Sequence, residues 1–150
     1  ELVLEAVPDD AAVVADLFCG RGTFSIPLAE RGHGVRAWDD DKHALAELKK
    51  LAPMVATTRG NLLQKSPDVD LGKPDAVVLD PPRRGAAPMM PIVGKCGAKT
   101  VIYISCEPMT MCRDLAVLRG CGYRVDWVQA IDAFPQTEHV EAVVRLTLAG

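Results

Sequence analysis

Short apolar runs alternate with stretches of helical spacing along the whole chain. Val13 to Phe18 and Val35 to Trp38 are mostly apolar and strand-like. Asp41 to Leu51 then sets Ala44, Leu45, Leu48 and Leu51 at helical intervals behind an aspartate suited to cap the first turn. Val55 to Thr58 reads as a short third strand. Ala76 to Leu79 reads as a fourth, stopped by Pro81-Pro82 because proline has no amide hydrogen for a sheet ladder. Thr100 to Ser105 is a fifth, and Met109 to Arg119 a helix ended by Gly120 and Gly122. Tyr123 to Ile131 and Val140 to Leu148, separated by DAFPQTEH, predict a hairpin at the sheet edge. The alternation predicts an α/β domain: a seven-stranded, mostly parallel sheet with helices on both faces and an antiparallel last strand. The chain is expected to begin almost directly in a strand.

Composition narrows the class. With 150 residues, 49% hydrophobic and 25% charged, the chain is expected to be one globular domain, residues 1–150, with a substantial core. No apolar run approaches the roughly 20 residues needed to span a bilayer, so neither membrane insertion nor a membrane partner is expected, and a cytoplasmic location is. The first residue is Glu1 and not methionine, which suggests the C-terminal part of a longer protein. Five cysteines without a C-x-x-C pair signal neither a zinc ribbon nor a disulfide framework, so reduced thiols and no bound metal are expected. A net charge of −3 gives no broad footprint for nucleic acid, although Arg83-Arg84 is a local basic pair able to meet a phosphate.

The candidate chemistry gathers at strand ends. In DLFCGRGTFSIPLA, Asp16 to Ala29, Gly20 and Gly22 let the backbone turn sharply and approach a ligand where a Cβ would collide. The full G-x-G-x-x-G fingerprint is absent, because Ser25 holds the third glycine position. Asp39 ends the second strand at about the distance where an acid takes ribose hydroxyls, which favours a nucleoside-containing cofactor. Asn61, in RGNLL, is either a turn residue or a neighbour of an adenine edge. In DPPRRG, Asp80 to Gly85, two prolines rigidify a loop that aims a carboxylate from the same sheet edge.

YISCEP delivers Cys106 at the end of the fifth strand, where the loops after parallel strands converge on a ligand crevice. The helix beginning near Pro108 is expected to point its free amides at the crevice and favour the thiolate. The other four cysteines lack such a setting. In FPQTEHVE, Glu141 lies at a semi-buried strand start suited to proton transfer, while His139 by itself reads as a surface histidine.

DLFCGRGTFSIPLA, DPPRRG, YISCEPMTMCRDL and FPQTEHVE, in this order, resemble the catalytic domain of the RNA 5-methyluridine methyltransferases over about Val13 to Leu148. The resemblance implies a class I, Rossmann-like fold, S-adenosylmethionine as cofactor and a uridine of tRNA or ribosomal RNA as substrate. It makes Cys106 the nucleophile and Glu141 the base. Asp16, Phe18, Gly20, Gly22, Thr23, Asp39, Asn61 and Asp80 border the cofactor, and Asp80 and Arg83 face the substrate. Asn61 departs from the family, where an acidic residue often marks the adenine pocket. The family usually carries an N-terminal β-barrel module for gripping RNA. Other readings of the same residues are methyl transfer to cytosine C5 or to an exocyclic amine, a nicotinamide-binding oxidoreductase, and a catalytically silent binding domain.

Overall fold

A computed structural model of the chain describes residues 1–132 and 140–150. The sequence opens on a helix and not a strand: Leu2–Ala6 forms α1, which buries Val3 and Ala6. The strands are β1 (Val13–Leu17), β2 (Gly34–Asp39), β3 (Ala56–Arg59), β4 (Ala76–Leu79), β5 (Thr100–Ser105), β6 (Tyr123–Ile131) and β7 (Glu141–Leu148). The helices that follow α1 are α2 (Ser25–Glu30), α3 (Lys42–Leu51), α4 (Met90–Lys95) and α5 (Pro108–Gly120), and a 3-10 turn over Ala87–Met89 leads into α4. The sequence pattern shows no α4. Its prolines, Pro88 and Pro91, stand in the first turns, where a missing amide hydrogen costs nothing.

The seven strands form one sheet in the order β3-β2-β1-β4-β5-β7-β6. All pairings from β3 to β5 are parallel, and β7 runs antiparallel to both β5 and β6. The expected hairpin is present, with β7 inserted beside β5 and β6 left at the edge.

Side chains alternate between two cores, as the period of two in a strand requires. Leu17, Val77, Leu79, Val101 and Tyr103 face a cluster with Met89, Val93, Leu115 and Leu118 of the α4–α5 layer. Val14, Val78, Ile102 and Ile104 face the other, with Val3, Leu28, Leu45 and Leu48 of α1, α2 and α3. β4 and β5 are wholly buried, so the sheet centre is rigid and its carboxyl edge is a fixed rim. Asp41 caps α3 as its position predicts, accepting from the amides of His43 and Ala44. All five cysteines are free thiols. Among the described residues, no helix is long and apolar enough to cross a membrane.

Candidate active site

The rim formed by the ends of β1, β2 and β4 collects acids. Asp16 is fully buried, and its Oδ2 accepts from Ser25 Oγ at 2.5 Å while Oδ1 has no partner. Burial, with repulsion from Asp80 and Asp39, raises its pKa to about 7 against the pull of the Ser25 bond. Asp80 stands on the exposed rim, yet the protein packed beneath it desolvates its carboxylate, and with the charge of Glu141 this raises its pKa to about 6. Asp39 and Asp80 thus neighbour Asp16, and Glu141 neighbours Asp80. Among the described residues no three His, Cys, Asp or Glu side chains group closely enough to hold a metal ion. A negative crevice of this kind suits an organic cation.

Beside these acids lies a pocket of about 160 Å³ lined by Phe18, Asp39, Asp40, Gly60, Asn61, Leu62, Leu63, Pro82 and Arg84. Phe18 has φ of 62°, a left-handed conformation that costs a bulky residue about 1–3 kcal/mol and turns the chain off β1 beside the pocket. Asp39 shapes the rim through both oxygens: Oδ2 accepts from the Gly20 amide at 2.8 Å and Oδ1 from the Asp41 amide at 2.9 Å. Asn61 is a turn residue, its Oδ1 accepting from the Leu63 amide at 3.0 Å, and it also lines the pocket. Gly20, at φ of 53°, faces open space. Gly22 has another reason to be glycine, because a Cβ there would run into Leu48 and Ile26 in the core. Thr23 is exposed in the turn leading to α2. A larger hollow of about 360 Å³ between α1 and the hairpin lies apart from these groups, and its basic residue, Arg145, is already bonded to the Ala6 carbonyl and to Asp126.

β5 and β7 pair Ile104 with Val143 and Ser105 with Ala142, so Cys106 and Glu141 each stand one residue beyond the last pair, at the same end of the sheet. Both are partly buried. The end of β4 adjoins that of β5, with Leu79 paired to Tyr103, which brings Asp80 alongside. His139 and the rest of Phe134–His139 lie outside the described residues.

The start of α5 differs from expectation. Pro108 has no amide hydrogen, and the Met109 amide is taken at 3.2 Å by Oε1 of Glu107, which caps the helix. Of the amides expected to favour the Cys106 thiolate, that of Met109 is therefore committed to the Glu107 carboxylate. Arg83 pairs with Glu107 at 3.4 Å on the exposed rim.

Arg84, expected with Arg83 as a basic pair for phosphate, lines the pocket. Sequence reasoning missed three groups. Thr110, Arg113 and Asp114 hold the DPPRRG loop from α5: Thr110 Oγ1 donates to the Arg83 carbonyl at 2.8 Å, Arg113 Nη2 donates to the Arg84 carbonyl at 2.8 Å, and the Ala86 amide donates to Asp114 Oδ2 at 2.6 Å. A signal for Asp114 was present, since it shares the helix face of Met111, Leu115 and Leu118, where an acid is out of place unless it has buried partners.

The fold is that of the class I S-adenosylmethionine-dependent methyltransferases. It superposes on the Pyrococcus abyssi tRNA (uracil-54, C5)-methyltransferase, solved in complex with S-adenosyl-L-homocysteine, with a TM-score of 0.85 and 30% identity over 97% of this chain and 36% of that one. The family model for tRNA (uracil-5-)-methyltransferases matches residues 55–148, and the chain belongs to that family. It is 41% identical over 141 residues to an uncharacterised RNA methyltransferase of Brucella suis, covering 89% of this chain and 34% of the relative. It is 38% identical over 143 residues to the 23S rRNA (uracil(1939)-C(5))-methyltransferase of Pseudomonas entomophila, covering 87% and 30%. The chain spans about a third of the length of these curated relatives.

Proposed function

We propose that this domain is the catalytic part of a longer cytoplasmic enzyme that methylates C5 of a uridine in tRNA or ribosomal RNA, using S-adenosylmethionine. The observation that supports the reading is the β5–β7 register, whose last pair, Ser105 with Ala142, directly adjoins Cys106 on one strand end and Glu141 on the other beside Asp80. The crevice fits the cofactor's charge and shape. The unpartnered Oδ1 of Asp16 is an acceptor for its ammonium group, Gly20, Gly22 and Thr23 shape the turn along its amino-acid part, Asp39 takes the ribose, and Phe18 and Asn61 border the base. When bound, it supplies an electrophilic methyl group.

The protein's own residues do the rest. The Cys106 thiolate adds to uracil C6, and the electron pair of the C5–C6 bond moves onto C5 and the adjacent carbonyl, making C5 nucleophilic. After methyl transfer, Glu141 removes the C5 proton and Cys106 departs from C6 as thiolate, restoring the ring double bond. Asp80, with a pKa of about 6, is mostly ionised at neutral pH and accepts a hydrogen bond from uracil N3–H. Cytosine has no hydrogen on N3, so this acceptor favours uracil. Arg83 meets the RNA at the rim, and a module outside this acidic domain supplies most of the grip on RNA, because a net charge of −3 offers few cations for counterion release.

The test is a denaturing gel and mass spectrum of the protein with 5-fluorouridine RNA and S-adenosylmethionine. Fluorine at C5 blocks the final proton removal, so a covalent methylated adduct is expected from the parent and none from Cys106→Ala. With ordinary RNA, Glu141→Gln is expected to accumulate the adduct. An adduct in Cys106→Ala would assign the nucleophile elsewhere, and normal turnover by Glu141→Gln would remove the base.

A further inference from the structure

Pro81 and Pro82 give the loop after β4 rigidity at the cost of two amide donors, so its remaining peptide groups need partners from another element. They find them on one face of α5. Residues 110, 113 and 114 stand three and four positions apart, the spacing that aligns side chains on a helix. Together they engage three nearby peptide groups of the loop, the carbonyls of Arg83 and Arg84 and the amide of Ala86. Asp114 is fully buried, yet it is saturated: Tyr103 Oη donates from β5 at 2.5 Å, and Arg113 Nε and Nη2 donate at 3.0 and 2.9 Å. Gly85 seals the contact. Its φ is 77°, and a Cβ there would lie 2.6 Å from both Arg113 Nη2 and Asp114 Oδ2.

We infer that Thr110, Arg113 and Asp114 form a positioning clamp that fixes Asp80 and Arg83 relative to Cys106. This rests on the functional reading above and adds to it the residues that set the geometry. Cys106 lies just before α5 and Asp80 just before the clamped loop, so a bond between loop and helix sets the distance between the nucleophile and the acid that meets the base. None of the clamp side chains reacts. Their contribution is alignment, and misplacement by about an ångström is enough to cost up to 100-fold in rate.

The variant that tests this with least risk to the fold is Thr110→Val, which keeps shape and removes the hydroxyl. In the full chain, kcat on uridine RNA is expected to fall about tenfold while KM for S-adenosylmethionine stays within about twofold. Hydrogen exchange at the Gly85 and Ala86 amides is expected to accelerate with no change in β4 or β5. Thr110→Ser should restore both. Asp114→Asn, which keeps an acceptor but loses the charge that holds Arg113, should show a larger kcat loss with the same local exchange. Parent-like kcat and exchange in both Thr110→Val and Asp114→Asn would overturn the clamp and leave the proposed activity standing. A parent that forms no adduct and no methylated uridine would overturn the activity, and with it the clamp's catalytic purpose.

Discussion

The two halves of the crevice are built differently. On the side of β1, β2 and β3, the residues proposed to meet the cofactor also shape their own loops: Asp39 ties down the Gly20 and Asp41 amides, and Asn61 closes its turn onto Leu63. On the side of β4, β5 and β7, the tasks are divided. Asp80, Cys106 and Glu141 stand at strand ends, while loop geometry is set by Thr110, Arg113 and Asp114 from a helix 27 to 29 residues further along the chain. On the proposed reading the first half only binds, and tolerates residues with two duties, whereas the second would form and break bonds and gains from a separate frame that leaves its reactive groups free to change partners.

Breaking the double duty of Asp39 should have the largest effect. Asp39→Ala removes the acceptor of two backbone amides as well as the proposed ribose contact, so S-adenosylmethionine affinity measured by calorimetry should fall by about 2–3 kcal/mol, with a lower melting temperature in the same variant. Affinity loss with an unchanged melting temperature would mean that the loop holds itself, and unchanged affinity would take Asp39 out of the site.

The same contrast explains what could be read from the sequence. The sheet was legible nearly strand by strand, because β4 and β5 are continuous apolar runs between turn residues and β6 and β7 flank one loop. α1 was not, since five residues hold too little helical periodicity to stand apart from a strand. Gly20 and Asp39 announce themselves because they sit at a characteristic spacing, and the structure bonds the one to the other. The clamp is legible only in space. Its three bonds join positions far apart in the chain, and Gly85 reads as an ordinary turn glycine until Arg113 and Asp114 are seen pressed against it. The Glu107 cap is hidden for a related reason: a residue that accepts from its own helix looks, in sequence, like one more polar residue near a cysteine.

The second comparison is between ionised and neutral rims. Asp16 and Asp80 have folded pKa values of about 7 and about 6 against an ordinary value of 3.8. Groups raised on folding bind more protons when folded, so their contribution to stability is complete below about pH 4 and is lost as pH rises through 6 and 7. Without cofactor, the protein should therefore melt at a lower temperature at pH 8 than Asp16→Asn does, by about 1–3 kcal/mol of stability, and the gap should close toward pH 4. The variant should at the same time bind S-adenosylmethionine more weakly, since the carboxylate that burdens the fold is the one proposed to hold the ammonium group. Parallel melting curves for the two proteins across this range would show that Asp16 is not a strained acid. The difference between curves is the quantity to read, because Asp41, whose pKa is lowered by the amides it caps, pulls the absolute stability the other way at low pH.

The smallest effect sits on the reacting half's outer rim, where Glu107 both caps α5 and pairs with Arg83. Arg83 is the more exposed partner, 69% against 28%, and an ion pair this open is worth at most about 1 kcal/mol. Glu107→Gln keeps an oxygen for the Met109 amide, so the helix start survives, but the charge that occupies Arg83 is gone. If Arg83 faces RNA, the freed guanidinium displaces one more counterion from the phosphate chain. Binding to single-stranded uridine RNA should then tighten about two- to threefold at low salt, and the slope of log affinity against log salt should steepen by up to about 0.7. Glu107→Ala separates the two duties, because it frees Arg83 and also removes the cap, adding a stability loss of about 1 kcal/mol that the glutamine variant lacks. Filter binding at two salt concentrations reads the first effect and thermal melting the second. Unchanged binding and slope in both variants would leave Arg83 as a partner of Glu107 alone and move the RNA contact of this rim elsewhere, with Arg84 the next residue to replace.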